Sequence, residues 1–447
     1  MHPGSLFGGS WATVLRAKPA LVSLRSYLES SGVPTEVLDL QVELGNPEPA
    51  EVEDYLRRAE GLIGRRHFDL LAVSCWSSLE YLAAVELAQR LRAADAALPI
   101  VVGGYHPTAA PDEFLEPGTP FNAVVLGEGE VVLAELARDP RFTGTSEPSI
   151  IVGKPLPLDE PVFDIAGYPY LDLKGEGIAL YLSRGCPNRC AFCMEGSKGS
   201  DWRAYPVDKA VGLVRAAAAL KPSSIQLGDA CFACRAPWRR AFLRQLIEAR
   251  VGARLWAETR LDGLTAEDLE LVSRLDLLLN FGVETMAPAV AVAMRKARDG
   301  ERYVRRVDHA LEQINERGLL AKVYLVFNHP GETATTADET VAYVERFIDS
   351  HDHLSLFFNA QTYAFFPGSD VARRFAHYES TYGTSVAHPR WWRESEPHHD
   401  LATQVRATPE IDSGEPYASQ VKSLFPRTRA KMPPAILLRL VIRASRL

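Results

Sequence analysis

Short β-branched runs and amphipathic stretches alternate through the first third of the chain. The runs are TEVLDL at 35–40, DLLAVSC at 69–75, PIVVGG at 99–104 and NAVVLGEGE at 122–130. Around them, PALVSLRSYLESSG and SLEYLAAVELAQRLRAADAA repeat their apolar residues every three or four positions, the spacing of one helix face. Strand–helix alternation of this kind predicts a Rossmann-like, doubly wound parallel sheet covered on both faces, here over residues 1–140. Ligands of such sheets sit at the carboxyl ends of the strands. Three of those ends carry small residues or turn signals: Ser74–Cys75, Gly103–Gly104 and Gly127–Glu128–Gly129. Residues 141–175 are rich in Pro, Gly and acidic residues without periodicity, which reads as a linker. A second alternation follows, with apolar runs at 178–183, 223–228, 254–259, 277–284, 321–328 and 354–360. Helical patterns such as DKAVGLVRAAAAL and ERYVRRVDHALEQINERG lie between them. Six βα units predict a partial (β/α)6 barrel over 176–370, with its site at the C-terminal mouth. Residues 371–447 lose the pattern and are expected to be mainly helical, covering the substrate or docking on the protein. The last stretch places Arg439, Arg443 and Arg446 on one face of a helix and Ile436, Leu437, Leu440 and Val441 on the other.

Composition narrows the class of partner. The 447 residues are 47% hydrophobic and 24% charged, the balance of a folded globular chain. A net charge of −8 gives no broad basic surface for a phosphate backbone, so nucleic acid is excluded as an expected partner. No apolar run approaches the ~18 residues of a membrane span. The first twenty residues lack the apolar core of a signal peptide, so a cytoplasmic location is expected.

Six cysteines are too few for a disulfide framework in a chain of this length, and they are bunched. Cys186, Cys190 and Cys193 form a C-x3-C-x2-C loop directly after the first strand of the second repeat. Such a loop can aim three thiolates at one centre. A closed zinc site takes four protein ligands, which Cys231 or Cys234 could complete; three cysteines on a 4Fe-4S cluster leave one iron open to a small molecule.

With its strand-end position and Phe192 before the last cysteine, this triplet resembles the radical S-adenosylmethionine (SAM) superfamily. The segments LGDACF at 227–232, FGVET at 281–285, FNHPGET at 327–333 and FFPGSD at 365–370 are similar to those of members with an N-terminal cobalamin-binding domain. VLDL at 37–40, LLAVSCWSS at 70–78, VVGGYHPT at 101–108 and VVLGEGE at 124–130 are similar to that domain itself. The resemblance implies three cofactors: a 4Fe-4S cluster, SAM and cobalamin. It implies that SAM chelates the open iron and is cleaved to a 5'-deoxyadenosyl radical, and that cobalamin carries a methyl group from a second SAM. C-methylation of a small molecule or peptide is then the expected reaction, with a flavodoxin- or ferredoxin-like external electron donor. Rearrangement, cyclisation or oxidation without methyl transfer is the alternative, and a non-catalytic corrinoid or cluster protein a third reading.

The same resemblance assigns residues. Cys186, Cys190 and Cys193 ligate the cluster. Asp229 meets the SAM ammonium, or else caps the next helix. Glu284 and Arg260 serve the SAM ribose and carboxylate, or else form a salt bridge at the barrel mouth. Pro330 and Gly331 let the backbone approach the adenine. Ser74, Gly103 and Gly104 pack around the nucleotide tail of cobalamin. His106 belongs to a turn. Cobalamin proteins that ligate cobalt from below carry Asp-x-His-x-x-Gly; the comparable stretch here is Asp39-Leu40-Gln41-Val42-Glu43-Leu44-Gly45, with glutamine in place of histidine. The opening strand of that domain is expected to be short or missing.

Overall fold

Every apolar run of the sequence except TEVLDL, which makes a single bridge at Asp39, becomes a strand, and the strands assemble into two parallel sheets. The computed structural model describes residues 1–8, 18–159, 162–171, 177–195 and 201–444, with the side chains of 441–444 left out. Part of the glycine-rich stretch at 5–11, part of the 141–175 segment and the end of the basic tail, with Arg446 and the Arg443 side chain, therefore lie outside the described residues. The chain divides into two units.

The first unit comprises residues 1–173 with 366–369 and 388–402. Its sheet has β1 (Leu71–Ser74), β2 (Ile100–Gly103), β3 (Ala123–Leu126) and β4 (Ser149–Val152) in that order, all parallel. Val101, Ala123 and Val125 pack on Val132 on one face. Helices Pro19–Ser30 and Glu130–Leu136 cover that side through Leu28, Leu133 and Ala134. Helices Val52–Gly64 and Tyr81–Ala94 pack against each other. The doubly wound reading holds.

Three features of this unit depart from the expected boundaries. β4 lies inside the expected linker and closes one edge of the sheet; three of its four residues are exposed, so it has no apolar alternation to reveal it. Beyond it, Leu156, Leu158, Phe163, Ile165 and Tyr168 are buried, so this stretch is part of the domain rather than a free linker. Residues 388–402, expected to belong to a separate C-terminal region, are built into this unit: Trp392 meets the His106 ring at 5.1 Å and its indole N–H donates to Glu113 at 3.3 Å. Trp391 is fully buried beside it.

The second unit, residues 174–365, 370–387 and 403–447, holds the larger sheet. Its strands are β5 (Ile178–Leu180), β8 (Ile225–Leu227), β9 (Leu255–Thr259), β10 (Leu277–Glu284), β11 (Ala321–Phe327) and β12 (Leu356–Thr362), with a short antiparallel hairpin of β6 (Ser183–Arg184) and β7 (Arg203–Ala204) inserted after β5. The order β12-β11-β10-β9-β8-β5 is that of a partial six-stranded barrel wall. β10 is almost wholly buried, as expected of a central parallel strand. Helix Gly300–Glu316 starts where the Asp299 side chain accepts the Arg302 N–H, and buries Tyr303, Val307, Ala310, Leu311 and Ile314 along one stripe. Val307, Leu311 and Ile314 each contribute about 1.5–3 kcal/mol of burial. The last helix, Pro434–Ala444, is tied down by Ile436 and by an Arg439–Asp276 ion pair. No helix among the described residues is long and apolar enough to cross a membrane.

Candidate active site

In the second unit the chemistry gathers at the carboxyl ends of the strands. The cysteine loop leaves β6 through Gly185, which has φ +77° and whose Cβ would collide with the Asp201 carbonyl. Only glycine avoids both the strain and the clash. The loop is anchored at its start by Asp229, whose Oδ1 accepts the N–H groups of Leu182 and Ser183, each at 2.8 Å. At its end Ala191 donates to the Met294 carbonyl at 2.9 Å, and Val371 donates to the Ala191 carbonyl at 3.1 Å. Asp229 therefore caps the cysteine loop, not the helix that follows it.

All six cysteines are free. The Cys186 thiol is held well above its ordinary range, first by a hydrogen bond with Cys231 and then by burial. Burial also pushes Cys190 up, and Cys193 up to about 11. The thiols therefore carry their protons until a metal displaces them. Two cations stand by to offset the charge. Arg260 Nη1 reaches Cys190 Sγ at 3.5 Å, and the buried Lys296 Nζ donates to the Gly282 carbonyl at 2.6 Å and lies 3.2 Å from Glu284 Oε1. Burial opposes the Lys296 charge, but Tyr303, Glu284 and Cys190 outweigh it and hold the ammonium above its ordinary range. Lys296 has no motif of its own and was not legible in the sequence; its signal is that it is a lysine in a largely apolar stretch, PAVAVAMRKA.

The donor set fits a polynuclear iron–sulfur cluster. Among the described residues no three His, Cys, Asp or Glu side chains converge as one metal ion requires. A cluster does not need that convergence, because each of its cysteines binds a different iron. The site also fits the ammonium of SAM: Asp229 Oδ2 is buried and without a hydrogen-bond partner. Burial, against the two backbone N–H groups, the Ser183 side chain and the charge of Arg184, raises the carboxyl to about 6, and an ammonium would give its open oxygen a hydrogen-bond donor.

The remaining sequence-derived residues are placed differently from expectation. Arg260 and Glu284 do not pair with each other. The Arg260 fork is taken by Asp262, at 2.9 and 2.8 Å, while its Nη2 also donates to the Lys296 carbonyl at 2.6 Å. Its bidentate face is thus already engaged. Glu284 has φ +71° at a register shift of β10, an unusual conformation for a side-chain-bearing residue. The face of Gly331, φ +92°, looks onto the Tyr382 ring, whose atoms would lie 3.0–3.2 Å from a Cβ. The close approach there is made by Tyr382. Next to it, Glu332 is buried, accepts the Asn328 N–H, and is raised to about 8 by that burial.

In the first unit, Ser74 and Gly103 are register partners at the ends of β1 and β2. Gly104, φ +122°, follows directly, and a Cβ there would fall inside the Cys75 carbonyl. The three expected small residues are adjacent, and Gly104 is demanded by the protein's own backbone. His106 is buried, with Nδ1 2.7 Å from Ser78 Oγ, and burial lowers it to about 3. It is a neutral, structural imidazole. Gln41 is buried and accepts from Lys18 Nζ at 2.9 Å, beside the Lys18–Asp39 pair at 2.7 Å. The opening strand is short but present: Met1 and His2 hydrogen-bond to Ala72, Ser74, Leu38 and Leu40.

Comparison with known proteins agrees with this division. Residues 17–137 match the B12 binding domain and residues 180–344 the Radical SAM superfamily. An uncharacterized methyltransferase of Pyrococcus horikoshii is 32% identical over 133 residues, 25% of this chain and 28% of that protein's length. The fold is similar to that of the radical SAM methyltransferase TsrM from Kitasatospora setae with tryptophan substrate and a SAM analogue bound: 18% identity, TM-score 0.67, covering 97% of this chain and 89% of that one. It is also similar to the cobalamin-dependent SAM radical enzyme OxsB with aqua-cobalamin bound, at 16% identity, TM-score 0.64, 92% of this chain and 64% of that one. The chain thus carries a B12-binding domain followed by a radical SAM domain, the pairing expected of cobalamin-dependent radical SAM enzymes.

Proposed function

We propose that this chain is a methyltransferase that uses a 4Fe-4S cluster, SAM and cobalamin to C-methylate an unactivated carbon of a small molecule or peptide in natural-product biosynthesis. The observation that carries the reading is the pairing, in one chain, of a B12-binding domain with a cysteine loop capped by Asp229, whose second oxygen is left without a partner. When bound, the cluster with SAM supplies radical chemistry and cobalamin supplies methyl transfer, neither of which a side chain can perform.

The chain's own residues hold these groups. Cys186, Cys190 and Cys193 ligate the cluster, and the Arg260 and Lys296 charges beside Cys190 lower the cost of an anionic sulfur centre. Asp229 Oδ2 accepts the SAM ammonium. Glu284, at φ +71° at the end of β10, would hold the ribose hydroxyls. Arg260 contributes charge rather than the bidentate clamp first expected of it. Pro330 and Gly331 border the adenine side, with Tyr382 as the ring against that backbone. Ser74, Gly103 and Gly104 border the cobalamin tail. An external flavodoxin- or ferredoxin-like donor supplies the electron, and a cytoplasmic location suits six free thiols.

Anaerobic turnover with deuterated SAM and a candidate substrate tests the reading. S-adenosylhomocysteine and 5'-deoxyadenosine in matched amounts are expected. 5'-Deoxyadenosine alone would assign a rearrangement or oxidation instead, and S-adenosylhomocysteine alone would move the methylated atom to an aromatic carbon.

A further inference from the structure

The inner wall of a barrel is ordinarily filled by bulky branched side chains; in the second unit one level of it is polar. Ala257, Leu279, Val323 and Phe358 are buried on the face of the larger sheet that carries the helices, where Phe347 of helix Ala334–Ser350 meets Phe358 at 5.8 Å. Successive residues of a strand point to opposite faces, so Glu258, Asn280 and Lys322 point to the inner one. These three are register partners across β9, β10 and β11 and form one transverse row. Tyr324, two residues beyond Lys322 on the same face, links the ends of the row. Its hydroxyl donates to Glu258 Oε1 at 3.4 Å, and Lys322 Nζ lies 4.8 Å from its ring centroid.

Two properties of the row point to a ligand. Asn280 is only 5% exposed, yet its Oδ1 has no hydrogen-bond partner, and a buried acceptor left open costs stability until a donor reaches it. Lys322 makes no ion pair among the described residues. Burial lowers its ammonium below the ordinary range and the Glu258 charge opposes that only in part, so a further anion is what the lysine lacks. The strands that carry the two charges are two spacings apart, about 10 Å, with the open Asn280 oxygen between them. Along β10 the same face continues through Gly282 to Glu284, so the row lies deeper in the barrel than the Glu284–Lys296 pair. At the level of the row the C-terminal segment packs on the wall, Phe425 meeting Phe357, the register partner of Lys322, at 5.8 Å.

We propose that this row is the charged anchor of the substrate, and that the substrate is a small molecule with a free ammonium and a free carboxylate on one carbon, an α-amino acid. The ammonium donates to Asn280 Oδ1 and Glu258, and the carboxylate accepts from Lys322 Nζ. The remaining carbons extend along β10 towards Glu284. A residue inside a peptide chain carries neither charge and would leave the row unpaired. This deepens the methyltransferase reading above and rests on it.

Calorimetric titration of the full chain, loaded anaerobically with cluster and cobalamin, tests the assignment. The probes are the twenty common L-amino acids and, for each that binds, its N-acetyl and carboxamide derivatives. At least one amino acid is expected to bind, and each of its derivatives to bind about tenfold or more weakly. Lys322→Met should lower amino-acid affinity to that of the carboxamide while keeping discrimination against the N-acetyl form, and Glu258→Gln should do the reverse. Iron content, cobalamin absorbance and circular dichroism confirm that each variant is folded. A loaded wild type that binds no amino acid or binds the derivatives equally well, or folded variants that weaken all three ligands alike or none, would overturn the assignment while leaving the cofactor reading intact. Failure of the wild type to retain iron or cobalamin would overturn both.

Discussion

The carboxyl edges of the two sheets are built on opposite principles. In the second unit the edge is crowded with charge: Arg260, Asp262, Glu284 and Lys296 are linked beside the Cys190 thiol, and Asp229 is buried at the start of the cysteine loop. In the first unit the edge is made of Ser74, Gly103 and Gly104 with an exposed indole, and its charged groups lie buried as pairs. One edge is built for electrostatics and covalent donors, the other for shape. The difference follows from the groups each must hold. An anionic cluster and a cationic nucleoside sulfonium need compensating charge in a low-dielectric site, whereas a broad macrocycle needs area and the exclusion of competing ligands.

The comparison is broken most severely by removing one sulfur donor. Cys186→Ala, Cys190→Ala or Cys193→Ala is expected to reduce bound iron from about four atoms per chain towards none and to abolish turnover. If the two edges are independent, cobalamin absorbance after anaerobic loading stays at the wild-type level; a parallel loss of both would show that they are coupled. Gly104→Ala is the converse experiment. It forces a side chain onto a positive φ and into the Cys75 carbonyl, which should cost about 2–4 kcal/mol. A lower melting temperature with weakened cobalamin retention and unchanged iron content is expected, and an unaltered melt would show that the close approach is not rigid.

Asp229→Asn sharpens the comparison with a smaller effect. Asparagine keeps an acceptor for the Leu182 and Ser183 N–H groups but loses the charge, which should weaken SAM binding by roughly 10–100-fold near pH 8. Because burial raises the carboxyl from 3.8 to about 6, its protonation favours the folded state at low pH, and this contribution is lost as pH rises through about 6. The ammonium of SAM binds the ionised form, so wild-type affinity should climb as pH rises through about 6, whereas the asparagine variant should stay flat. Calorimetric titration across that range, with a cluster-loaded chain, distinguishes the two; identical pH profiles would remove Asp229 from the SAM site.

Legibility also differs between the two edges. The C-x3-C-x2-C loop and the strand end carrying GVET could be located from sequence because each is a run of adjacent residues at the end of an apolar strand. Lys296 could not: it reaches Glu284 from twelve positions away, across the short helix Pro288–Ala293. Arg260 was read as either a SAM-carboxylate ligand or half of a barrel-mouth salt bridge; that its partner is Asp262, two residues on, is set by the loop conformation. β4 and the Met1–His2 strand escaped because one exposes its side chains and the other is too short to form a pattern.

The sequence by itself determined the alternation of strands and helices, the two-part organisation and the cysteine triplet, because these depend on local periodicity and on residue type. Only the tertiary structure decided which segments belong to which unit and which charges are already paired. It placed residues 388–402 in the first unit and left one oxygen of Asp229 without a partner. Those outcomes depend on what burial brings side by side from distant parts of the chain, and no window of neighbouring residues carries that information.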